Sequence, residues 1–265
     1  MLEHSLMNIT LSFILIYIIF DSINLIKKIN LFKDKEILSF SPTETVFIQY
    51  RFLSLKVIKF LLNYNLFRMI IVLRLVLALS VLAGFTSNSV MIFLFIIQAF
   101  LHIRNESLFN LADKYVLNIL LSLSFFYFFN NSIIIQQSSL FFIGILTIVA
   151  YTFTAVFKLM GESWRTGTAL EQILSTDLYG NELYFNFLNK NKIMSKAINY
   201  FVIFFQLLAP LTILSSKFTI VYIIIGFFFH LSISVVMNLN NFFWVFVSTY
   251  PCIYFVSLKI EQYLN

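Results

Sequence analysis

Residues Phe218–Met237 read FTIVYIIIGFFFHLSISVVM, twenty positions with no Asp, Glu, Lys or Arg. At 1.5 Å per residue an α-helix of about that length crosses the roughly 30 Å hydrocarbon core of a bilayer. A membrane β-strand would instead be about ten residues long, apolar and polar in alternation, and this run has no polar alternate face to line a barrel. The stretch therefore predicts a membrane-spanning helix. Similar apolar runs occur at Asn8–Ile26, Leu66–Gly84, Val90–Ile103, Val116–Phe129, Leu140–Leu159, Tyr200–Leu214 and Phe242–Leu258. The expectation is an all-α, polytopic bundle of about eight transmembrane helices. Several runs are short, which tilting or burial against neighbours accommodates.

The bulk composition agrees. Of the 265 residues 60% are hydrophobic and only 11% charged, with a mean hydropathy of +0.90. A soluble domain carries about 25% charged residues, so this chain has too little polar surface to cover a water-exposed fold. With only 6 Gly and 3 Pro, continuous helices are favoured. No internal repeat or low-complexity linker appears, and residues 1–265 read as one transmembrane domain. The segment before the first apolar run lacks the basic cluster and small-residue cleavage site of a signal peptide, so a retained first span is expected.

The net charge of +6 raises nucleic acid as a partner, but no basic helix or aromatic RNA platform is present, and a bilayer is the expected surroundings. Basic residues collect in loops instead. With the N-terminus outside, the inside loops hold seven, two and four Lys or Arg, against Lys217 and Lys259 outside. The positive-inside rule then turns Lys27–Asn65 and Met160–Asn199, the two longer polar connections, toward the cytoplasm. Cys252 is the only cysteine; it excludes an intramolecular disulfide and a thiolate metal site, and reads as a small packed side chain. Gly-rich phosphate loops, paired-His metal spacing and nucleophile elbows are absent from the sequence.

Charged groups inside spans cost about 2.5–3.5 kcal/mol each on insertion scales and point to function by default. Lys158 follows the apolar run Ile148–Phe157 near the end of the fifth span. Two readings are open: the amine snorkels to the headgroups, or it is a desolvated lysine able to act as a base. His230, in mid-span, is either a hydrogen-bonded structural histidine or a proton relay. Asp21 in the first span is expected to pair with Arg68 or Arg74. Arg104, Glu106 and Asp113 fall in one connection, where a solvated loop is the simplest reading. Trp164 is expected to anchor at the interface.

The block Ala155-Val-Phe-Lys158-Leu-Met-Gly161-Glu-Ser-Trp164-Arg-Thr-Gly167-Thr-Ala-Leu170 resembles the signature of the vitamin K-dependent γ-carboxylase-like family, also called the horizontally transferred transmembrane (HTTM) domain. That signature is an apolar helix ending in Lys-Leu, a short turn, Trp, then Gly and a small residue. Lys158, Leu159, Trp164, Gly167 and Ala169 follow that order. Arg104-Asn105 followed by Asp113, and His230 followed by a polar turn and a Phe-rich helix, are similar to two further family stretches. The resemblance implies that Lys158 is the base that deprotonates a reduced quinone, with Glu106 or His230 assisting proton movement. It also implies Arg104, Asn105, Asp113, Trp164 and Gly167 as binding or structural positions. Two departures are evident. Glu106 stands where the carboxylase has His, and the chain ends at Asn265 with no large extramembrane domain, as in small bacterial, SdpB-like members. The implied role is modification or maturation of a secreted peptide or protein at the plasma membrane, in bacteria the inner membrane. The alternative is a non-catalytic scaffold for a membrane or soluble partner subunit of a secretion complex.

Overall fold

A computed structural model describes residues 1–33, 36, 63–85, 88–104 and 111–264, and among them helices form all the regular structure, with no strands. The helices are α1 (Leu2–Lys27), α2 (Tyr64–Leu82), α3 (Asn88–Arg104), α4 (Leu111–Phe128), α5 (Ile133–Met160), α6 (Glu162–Thr166), α7 (Ala169–Leu174), α8 (Glu182–Lys190), α9 (Lys192–Leu207), α10 (Ser216–Met237) and α11 (Asn240–Leu264). Two 3-10 turns, Ile29–Phe32 and Ala209–Leu214, follow α1 and α9.

Among the described residues six helices are long and apolar enough to cross a membrane: α1, α2, α4, α5, α10 and α11. The all-α membrane bundle is therefore what the chain forms, while eight crossings are not established. α3 is apolar but only 17 residues long. The sixth expected span, Tyr200–Leu214, is divided between the second half of α9 and the 3-10 turn. α9 is amphipathic, because it begins with Lys192, Ser195, Lys196 and Asn199 before its apolar half. Pro210 opens the 3-10 turn, where its missing N–H is tolerated.

The outward faces carry bare apolar side chains, among them Val72, Val76, Val149, Phe153, Ile224 and Phe228, as lipid contact requires. Hydroxyls inside the apolar helices bond their own backbone: Thr147 to Ile143 O, Ser248 to Val245 O and Ser257 to Tyr254 O. This removes the cost of a bare hydroxyl away from water.

The chain divides into two compact units, Met1–Thr10 with Asn131–Asn265, and Leu11–Asn130. In the first, α11 packs along both α5 and α10, and α9 packs on α5. A methyl on Gly144 would sit 2.6 Å from the Cys252 carbonyl oxygen, so α5 and α11 approach too closely there for any side chain. Cys252 is buried and its sulfur lies 3.4 Å from the Thr10 hydroxyl. In the second unit α3 packs on α4 and α2. Its ends converge on Phe32, Phe67, Ile71, Ile97 and Leu101.

Candidate functional site

Lys158 lies in the last turn of α5, whose backbone is closed at Gly161 by bonds from its N–H to the Phe157 and Lys158 carbonyls. The side chain is half-buried. Its Nζ donates to Gln206 Oε1 at 2.8 Å and lies 5.1 Å from the centre of the Trp164 ring. Gln206 is buried on α9. The amine is thus held between a buried amide and an aromatic face, a cation–π arrangement, and among the described residues it makes no ion pair.

The block after Lys158 is a packed turn anchored to α9. Gly167, at φ +81°, ends α6 in the left-handed region that suits glycine. Its carbonyl accepts from the Ser195 hydroxyl and from Asn199 Nδ2, each at 3.0 Å. Asn199 Oδ1 in turn accepts from the Leu170 N–H at 3.3 Å, and the Tyr200 hydroxyl donates to the Arg165 carbonyl at 2.8 Å. One helix face therefore satisfies the backbone groups that the breaks around Gly167 leave open. Lys192 Nζ sits 2.5 Å from Glu171 Oε2. That hydrogen bond holds the Glu171 carboxyl below the usual value of 4.5, against the upward effect of its burial. Trp164 packs with Leu170, Leu174 and Leu188 beneath this layer.

His230 is buried, and its Nε2 lies 2.7 Å from the Tyr151 hydroxyl. Tyr151 reaches the Tyr250 hydroxyl at 3.4 Å, and the His230 ring stacks on Phe246 at 4.9 Å and 3°. Tyr222, Gly226 and His230 recur at i, i+4 and i+8, one face of α10. A methyl on Gly226 would lie 2.5 Å from the Tyr250 hydroxyl oxygen, so that glycine makes room for the phenol. His230 is hydrogen-bonded to Tyr151, and it is not beside Lys158. Tyr151 precedes Lys158 by two turns on one stripe of α5, roughly 10 Å along the axis.

The remaining expected residues lie in the other unit. The connection holding Arg104 and Asp113 is not a solvated loop at either end: Arg104 closes α3 and Asp113 opens α4, both buried. Apolar packing of α3 and α4 carries these two side chains inward with the helices. Tyr17 donates to Asp113 Oδ1 at 2.6 Å. Asn105 and Glu106 lie outside the described residues. Asp21 pairs with Arg74 rather than Arg68, at 2.6 Å, and Arg74 also donates to Gln98 at 2.6 Å.

Between α7, α8, α9 and α10 lies a cavity of about 630 Å³, lined by Leu174, Leu188, Phe201, Val202, Phe229 and Ile233 among others. Val202 is one helical turn before Gln206, on the same face of α9. Phe229 meets Phe205 at 4.9 Å. Sequence reasoning overlooked Gln206, Asn199 and Tyr151. For Gln206 a signal existed, a lone amide within Phe201–Leu208, whereas Tyr151 was one of 13 tyrosines. No family model, curated protein or solved structure matches this chain.

Proposed function

We propose that the protein is a membrane-embedded modifying enzyme resembling the membrane domain of vitamin K-dependent γ-carboxylase, acting at the plasma membrane on a secreted peptide or protein. The observation that carries the reading is the setting of Lys158: a span-end amine bound to the buried Gln206 amide and the Trp164 face, with no ion pair among the described residues. A carboxylate partner would fix the ammonium charge, whereas an amide oxygen orients the amine and leaves it able to exchange a proton. A reduced quinone fits these residues. Lys158 and Gln206 would hold a hydroxyl, Trp164 would offer a flat face, and the apolar cavity one turn away along α9 would take an isoprenoid tail. When bound, such a group supplies an acidic hydroxyl, and Lys158 is the proton acceptor. His230, through Tyr151 and Tyr250, supplies a second hydrogen-bonded set two turns deeper, suited to passing protons rather than to touching the same atoms.

A scaffold role is favoured by a different observation: Leu183, Phe187 and Ile193 are exposed at the polar connection, a surface that a partner subunit could cover. Mass spectrometry of an organic extract of the full chain, purified from its native membranes, separates the two. Near-stoichiometric isoprenoid quinone, lost in Lys158→Ala, supports the enzyme. Absence of quinone together with an equimolar protein partner supports the scaffold.

A further inference from the structure

Arg104 is 2% exposed, yet among the described residues its Nε and Nη2 make no hydrogen bond. Those two nitrogens form the same edge of the guanidinium, the side-on fork that meets two oxygens of a carboxylate or phosphate at once. Arg74 provides the contrast within the same unit: its two terminal nitrogens are taken by Asp21 and Gln98. The described carboxylates of the unit do not serve Arg104. Asp21 is bound to Arg74, Asp113 receives the Tyr17 hydroxyl, and Glu36 is exposed without an ion pair to it. A buried guanidinium with its fork unmet is costly unless a counter-charge reaches it.

The guanidinium plane is held in place from below. Its central carbon lies 4.3 Å from the Phe67 ring centre and 5.5 Å from that of Phe32. Those rings are 4.8 Å apart and belong to the first turn of α2 and the 3-10 turn after α1. The ends of three apolar helices therefore meet at Arg104, the depth at which an apolar segment gives way to headgroups. The same end displays exposed Lys27, Lys28, Lys33 and Arg68. Beyond Arg68, α2 turns Met69, Val72, Leu73 and Val76 outward, an apolar strip along which acyl chains can lie.

We infer that Arg104 is the receptor for an oxyanion, the phosphate of an anionic membrane phospholipid, held side-on by Nε and Nη2 above the Phe32–Phe67 floor. The cationic end supplies the attraction and the α2 strip receives the chains. The ligand chemistry is a phosphate with two free oxygens, and a free phosphate ion could present the same pair.

The test uses the full chain in a mild detergent, delipidated and titrated with phosphatidylglycerol, with bound lipid counted by native mass spectrometry. One lipid should survive at low molar excess, and millimolar orthophosphate should not displace it. Arg104→Gln should weaken that first binding step by roughly tenfold or more, the effect of losing charge-assisted hydrogen bonds. Arg104→Lys, which keeps the charge but not the fork, should weaken it as well, while Arg68→Gln should leave it within about twofold, as a rim charge should. Unchanged binding in Arg104→Gln overturns the site. If that variant does not fold, unchanged binding in Arg104→Lys overturns the fork. Displacement of the lipid by orthophosphate overturns the lipid as the source and leaves a small-anion site.

Discussion

Gly167→Ala tests whether the turn that follows Lys158 is built as a rigid support. Two glycines have positive φ, Gly167 at +81° and Gly84 at +93°. For alanine the left-handed conformation alone costs roughly 1–2 kcal/mol. At Gly84 nothing lies within 4 Å of the added methyl, so that cost is all that is expected. At Gly167 the methyl would meet Lys196 Cγ at 2.7 Å and Lys196 Cα at 2.9 Å. The second contact is backbone and cannot swing aside, which adds an overpacking cost of about 1–3 kcal/mol. The total is about 2–5 kcal/mol. At roughly 2–4 °C per kcal/mol for a chain of this size, Gly167→Ala should lower the unfolding midpoint by about 4–20 °C and Gly84→Ala by about 2–8 °C. Unfolding of a membrane protein in detergent is often irreversible, so both variants are compared with the parent at one scan rate. Equal shifts for the two would refute the close contact between the Gly167 turn and α9.

Breaking the part-buried pair by Asp21→Asn should destabilise the protein by up to about 3 kcal/mol, since it removes the counter-charge of the buried Arg74 guanidinium and leaves it the Gln98 amide, whereas Arg68→Ala should stay within about 0.5 kcal/mol; folded yield after detergent extraction reads both. The Glu171 carboxyl is held low by Lys192, so its contribution is present above the ordinary carboxylate value and disappears as pH falls through the folded-state value. Lys192→Met should therefore cost up to about 1 kcal/mol at pH 7, with the difference from the parent shrinking as pH drops below 4.5; a penalty unchanged at low pH would contradict the pairing. If α9 and its 3-10 turn together cross the bilayer, about 24 Å plus about 12 Å of rise, cysteines placed at Lys192 and Lys217 should label from opposite sides; labelling from one side makes α9 an interfacial helix. Tyr151→Phe should cost about 1–3 kcal/mol by leaving the buried His230 Nε2 without its partner; a neutral effect on thermal unfolding would remove that hydrogen bond from the account.

Helix class and most span positions were legible in the sequence because uncharged apolar runs such as Phe218–Met237 have few other solutions. The limits were less legible. Asn8–Ile26 proved to be the C-terminal part of a 26-residue helix that begins at Leu2, since polar Glu3 and His4 do not stop a helix that bonds them to Gln137 and Gln136. Tyr200–Leu214 did not mark the limits of its helix, because hydropathy cannot register that Ser195 and Asn199 belong to the same helix and turn their polar groups onto the Gly167 turn. Lys158 and Trp164 were visible as a local pair, but the residue that defines the chemistry of the amine, Gln206, lies 48 positions away. Arg104 was visible as a charge and invisible as a buried one, because burial is a property of Phe32 and Phe67, not of its neighbours in the chain.

The claim at the centre of the account is that Lys158 accepts a proton from a bound reactant. The direct measurement is aerobic oxidation of a reduced isoprenoid quinone by the purified full chain, with added dioxygen as the electron acceptor for the deprotonated quinol, comparing the parent with Lys158→Arg. Arginine keeps the length and the positive charge, and can still face Trp164, but it does not give up its proton at neutral pH. The account predicts a folded Arg variant with its rate reduced by about 10²–10⁴, the scale of a lost general base. Consumption by Lys158→Arg at the parent rate would contradict it.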